Sequence, residues 1–139
     1  MDAAQALADL TEISSQIECA VLFTEGGDVL GSTLESEEAA AALVRGAGEL
    51  LEAAGSFRSE GGRVTQLEAS TPDGSVFVVR DGGRGIVATT APQPTVGLVF
   101  YDLKSCLRSA AEAEEKPKRR RRAAPKPAQE QEEESGGEA

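Results

Sequence analysis

Two short runs in this sequence have no polar side to them. Glu18-Cys19-Ala20-Val21-Leu22-Phe23-Thr24 and Val76-Phe77-Val78-Val79 are too short for helices of their own and are apolar at consecutive positions. A strand that alternates polar and apolar residues shows one face to water, whereas a continuous apolar run is covered on both. Both runs therefore predict central strands of a sheet, and the remaining segments have to supply the cover.

The flanking segments fit that requirement. Glu25-Gly26-Gly27-Asp28 supplies a tight turn, and Val29–Thr33 returns as a second strand, which makes the first run half of a hairpin. Thr71-Pro72-Asp73-Gly74 and Asp81-Gly82-Gly83-Arg84 are hairpin turns that separate strands Val64–Ser70, Ser75–Arg80 and Gly85–Thr90. The first of these is the most polar, with Thr65, Gln66, Glu68 and Ser70, as suits an edge. Helical spacing appears three times. Ala3, Ala6, Leu7, Leu10 and Ile13 predict a short helix over residues 2–15. Residues 37–55 predict a long one, with Ser36 as N-cap, Glu37 and Glu38 favoured by the helix dipole, and Gly55 as the stop. Val96, Leu98, Val99, Leu103, Cys106 and Leu107 predict a third, entered near Pro94 and ending about Glu115. The order α-β-β-α-β-β-β-α, with a five-stranded antiparallel sheet, is an α+β architecture.

The long helix divides into three arcs at about 100° per residue. Leu43, Val44, Ala47, Leu50, Leu51 and Ala54 form a core arc; Glu38, Ala41, Arg45, Glu49 and Glu52 form a solvent arc; Ala39, Ala42, Gly46 and Ala53 form a stripe of very small residues between them. Such a stripe allows another backbone to come close. Its plainer explanation is an Ala-rich helix packed within its own domain.

Charge separates the chain into two parts. Residues 1–115 hold 7 basic and 19 acidic residues, a balance of −12, and residues 116–139 hold 7 and 5, a balance of +2. Within the second part, Lys116, Lys118 and Arg119, Arg120, Arg121 and Arg122 form a basic block, and residues 128–139 are acidic. Neither half has apolar residues larger than Ala and Pro, so residues 116–139 are expected to form a disordered tail after a domain at 1–115. The basic block suits nucleic acid phosphates or an anionic membrane, or contact with the chain's own acidic groups.

Much chemistry is excluded. The chain has no His, which removes Ser-His-Asp and Cys-His nucleophile systems and His-ligated zinc. Two cysteines, Cys19 and Cys106, are too few for a Cys-only metal site and suit buried structural thiols. No metal or cofactor is implied. Gly82, Gly83 and Gly85 link two strands and open no helix, so they predict a turn and not a phosphate loop. Asp2, Asp9, Glu12 and the other carboxylates suggest a solvated acidic surface, and Arg45 has Glu49 four residues on for a local ion pair. The N-terminus lacks the basic start and apolar core of a signal peptide and no run reaches a membrane span, so a cytoplasmic location is expected.

The ordered set of elements resembles the roadblock (dynein light-chain type) family, whose fold is profilin-like, and within it the bacterial mutual gliding protein B type. The resemblance rests on the hairpin Ala20–Ser32, the Ala-rich helix at 38–55, the hairpin Val76–Asp81 with Gly85–Thr90, and Pro94-Thr95-Val96-Gly97-Leu98-Val99, and covers roughly residues 3–113. It implies a non-enzymatic homodimer that binds a Ras-like small GTPase as scaffold or activator. It also implies that second helices lie side by side and third strands pair across a two-fold axis. Ala39, Ala42, Gly46 and Ala53 then stand at the helix contact, and Thr65, Leu67 and Ala69 at the strand contact, leaving Glu38, Ala41, Arg45, Glu49 and Glu52 for a partner. Alternatives are a small-molecule sensor on the same fold, which needs an internal polar-lined pocket, and a tail-driven binder of nucleic acid or anionic surfaces.

Overall fold

The computed structural model describes residues 2–57 and 63–123, of which 113–123 as backbone only. The elements are α1 (Ala3–Ile13), β1 (Ile17–Thr24), β2 (Val29–Ser32), α2 (Glu37–Gly55), β3 (Gln66–Thr71), β4 (Gly74–Asp81), β5 (Arg84–Thr90) and α3 (Val96–Ala123). The five strands form one antiparallel sheet in the order β2-β1-β5-β4-β3. The chain therefore has the expected α+β order, with β1 and β4 inside the sheet and β3 at an edge.

Local chemistry accounts for most boundaries. Asp2 caps α1 by accepting from the Gln5 amide, and Ser36 caps α2 by accepting from the Ala39 amide. Gly27, at φ 96°, turns the β1–β2 hairpin. Gly74 has φ 152°, and a Cβ there would lie 2.3 Å from the Thr90 carbonyl oxygen, so only glycine closes the β3–β4 turn at this distance from β5.

Layers of helix cover both faces of the sheet. On one face α1 and α3 pack Ala6, Leu7, Leu10, Val99, Leu103 and Leu107 against Ala20, Leu22, Phe77 and Ile86. On the other, α2 packs Ala40, Val44, Ala47 and Leu51 against Val21, Phe23, Val78 and Val87. Successive residues of β1 and β4 thus enter opposite cores, which is why those runs have no polar alternation.

Four expectations need correction. β3 begins at Gln66, not Val64, because the Arg80 guanidinium takes the Val64 carbonyl and the ladder starts beyond it. Gly55 ends α2 without adopting a left-handed conformation; Ser56 closes the helix, its amide donating to Ala53 and Ala54 and its hydroxyl to Ala53. Leu50, expected in the core arc, is 37% exposed, since the buried stripe runs Ala40, Val44, Ala47, Leu51. The third helix, expected to end about Glu115, runs on to Ala123. The rest of the tail, 124–139, and the Gly-rich linker at 59–62 lie outside the described residues.

Candidate interaction surfaces

The side of α2 turned away from its core carries no charge along one strip. Ala39, Ala42 and Ala53 are exposed and Gly46 is half-buried, with open space where a Gly46 Cβ would stand. Leu43 and the exposed Leu50 continue the strip, and Phe57, just past the helix, is 87% exposed. Leu50 and Phe57 were not expected on this side. Periodicity gives the angle between residues but not which neighbour covers the arc.

Next to this strip no described element covers the sheet. α2 lies over β1, β2 and β5. Val64, Leu67 and Val76, on the same face toward β3 and β4, are only half-buried. The β3 edge is also open. Thr65 accepts from the Arg80 amide, and alternate residues of an antiparallel pair bond across it, so Leu67 and Ala69 also direct their backbone toward β4. The outward backbone groups of the edge are those of Gln66, Glu68 and Ser70. Of the residues expected at a strand contact, Thr65 thus lies just before β3, and Leu67 and Ala69 offer side chains and not edge hydrogen bonds.

The solvent arc holds Glu38, Arg45, Glu49 and Glu52 exposed, and Ala41 half-buried. The expected Arg45–Glu49 ion pair does not form, whereas Arg63 Nη1 pairs with Glu25 Oε2 at 2.9 Å. That hydrogen bond and the Arg63 charge hold the Glu25 carboxyl below its usual range. Burial, with the Arg63 charge, lowers Arg80. These three residues border a groove between the end of α2 and the β1–β2 turn, lined also by Phe23, Gly48 and Leu51.

The cysteines are not alike. Cys106 is buried, donates to the Ala6 carbonyl at 3.4 Å, and is pushed up to about 11 by burial and by Asp9. Cys19 is only half-buried and lies 3.1 Å from the Thr89 hydroxyl, so the expectation of two buried thiols holds for Cys106 alone. Nor do all acidic residues stand on the outer surface, because Asp102 is 8% exposed and lines one groove with Asp9. Gly82 and Gly83 turn between β4 and β5 as expected, with Gly85 inside β5. Among the described residues no group of three or more His, Cys, Asp or Glu could hold a metal ion. No described helix is long and apolar enough to cross a membrane. The expected anionic-surface residues Lys118, Arg119, Arg120, Arg121 and Arg122 all fall on the last turns of α3.

No protein-family model and no curated protein sequence matches the chain. Solved structures do. A roadblock/LC7 domain from Streptomyces avermitilis superposes with TM-score 0.71 at 18% identity, covering 81% of this chain and 98% of that one. MglB of Myxococcus xanthus superposes at 0.67 and 14% identity, over 82% and 88%. The gliding protein MglB of Thermus thermophilus does so at 0.61 and 17%, over 79% and 86%. A further MglB structure has a tetrameric arrangement. At these identities the likeness is one of fold.

Proposed function

We propose that this chain, which has the roadblock/LC7 fold, is a non-enzymatic homodimeric adaptor that binds a Ras-like small GTPase and regulates or scaffolds it. The observation that carries the reading is the uncharged strip of α2 beside a half-buried sheet face and an open β3 edge. Two copies related by a two-fold axis cover all three features at once: Ala39, Ala42, Gly46 and Ala53 meet their counterparts, each α2 overlies the partner's Leu67 and Val76, and the β3 edges pair. Small residues at such a seam let the helices approach closely. The acidic arc of Glu38, Glu49 and Glu52, with Ala41 and Arg45, is left facing out on the pair and is the surface offered to the GTPase.

The MglB neighbours support a regulator of this type, and the tetrameric arrangement of one of them supports self-association. The sensor alternative requires a polar-lined interior. Both cores here are filled by aliphatic side chains with Phe77 in one and Phe23 in the other, and Leu22, Val21, Ile86, Val78 and Leu103 are fully buried.

Sedimentation equilibrium at micromolar concentration tests the dimer, and recovery of a GTPase on the full chain, followed by its GTP hydrolysis with and without the chain, tests the partner. A monomeric mass overturns the first half. Absence of any recovered GTPase, together with unchanged hydrolysis by one encoded nearby, overturns the second.

A further inference from the structure

On the sheet face opposite α2, α1 and α3 pack side by side and leave a groove of about 270 Å³. Ile13 and Tyr101, at 72% and 68% exposed, stand on its walls, and Asp9 and Asp102 bring carboxylates to it. No lining residue is basic. Asp102 is more than nine-tenths buried, and no described group donates a hydrogen bond to it or pairs with its charge. Its carboxylate opens on the groove, where no basic residue meets it, so a cation entering the groove finds a charge partner there.

The chain itself carries such a cation source. Lys116–Arg122 holds six of its 14 basic residues within seven positions. These positions continue the same helix that forms one wall of the groove, unbroken from Val96 to Ala123. Lys116 lies seven residues beyond Ser109, the last groove residue, about 10 Å further along the axis at ~1.5 Å per residue. A continuous helix does not fold back on its own wall, so the groove is out of reach of its own basic segment.

We propose that the basic end of α3 of one copy docks in the acidic α1/α3 groove of a second copy. Asp9 and Asp102 receive its Lys and Arg head groups, while Ile13 and Tyr101 cover their aliphatic stems. The contact joins two different patches, so it is separate from a two-fold seam and does not rest on the GTPase reading.

The test uses full chains, one batch with ordinary nitrogen and one labelled with heavy nitrogen, mixed and treated with a carbodiimide, which joins a carboxylate to a lysine amine in contact. The expected product links Asp9 or Asp102 to Lys116 or Lys118 with one peptide from each batch. The link and the salt-sensitive part of the sedimenting mass fall about tenfold or more between about 0.05 M and about 0.5 M salt. The isosteric pair Asp9→Asn and Asp102→Asn removes both, as does exchanging the six cations for Gln, which alters no groove residue. Links confined to one batch, links from these lysines to other carboxylates, or a mass unchanged in the Asn pair overturn the inference. So does an arm that binds phosphatidylserine vesicles or duplex DNA while making no link to the groove.

Discussion

Phe23 and Gly85 face each other across β1 and β5, and a Cβ at position 85 would lie 2.4 Å from the Phe23 ring. The ring is 4% exposed and packs directly over Gly85. Gly85→Ala is therefore expected to destabilise the fold by about 1–3 kcal/mol in urea melts, with part of the loss recovered when Phe23→Leu is added. Cys106 gives a second prediction at this scale. Its folded value, about 11, is above the ordinary thiol value of 9.0, so the neutral thiol is favoured in the fold. Stability from this group is complete below the unfolded value and declines as pH rises through the folded one. Between about pH 9 and 11 the native protein should lose on the order of 2 kcal/mol more than Cys106→Ala does. Residue identity alone predicts neither effect. A cysteine on an apolar helix face is readable as buried, but Asp9 as its neighbour is a fact of how α1 meets α3.

At the scale of elements, α2 carries the sharpest test of the dimer. Gly46 and Gly48 both sit mid-helix with open space around a built Cβ, but on different sides. Gly48→Ala should raise stability by roughly 0.5–1 kcal/mol and leave the mass unchanged. Gly46→Leu should keep the protomer folded yet weaken association about tenfold or more, seen by sedimentation. On β3, Glu68→Pro removes an outward amide and spares the ladder to β4, so it should weaken the pair by about 1–3 kcal/mol with the protomer still folded. The bounds of α2 were legible because Ser36, the acidic first turn and the periodicity agree. Other features needed the assembled fold. Leu50 follows the core spacing but faces away, because α2 covers only part of the sheet. The end of α3 was hidden by Pro117, which normally breaks a helix. Strand order could not be read from hairpins alone, since β1 meets β5 across most of the sequence.

For the whole molecule, charge gives the two associations opposite responses to salt. Two bodies of −12 repel each other, and the proposed α2 seam is uncharged, so added salt should tighten the two-fold pair by screening the bodies. The contact between the basic end of α3 and the acidic groove should loosen under the same change. A salt series followed by light scattering should therefore show larger assemblies giving way to a persistent dimer as ionic strength rises. A single monotonic loss of mass down to the monomer would contradict the uncharged seam.

The unbroken length of α3 also makes it a measure of distance. Twenty-eight residues span ~42 Å at ~1.5 Å each, and the first half is fixed to the sheet. In the proposed contact the second half then sets both how far apart the two copies stand and the angle between them. Seven residues inserted after Glu112 add ~10 Å and nearly restore the helical phase, whereas two residues add ~3 Å and swing the end by ~200°. Spacing and orientation in any chain of copies thus become separately adjustable through one segment, like the pitch and phase of a screw.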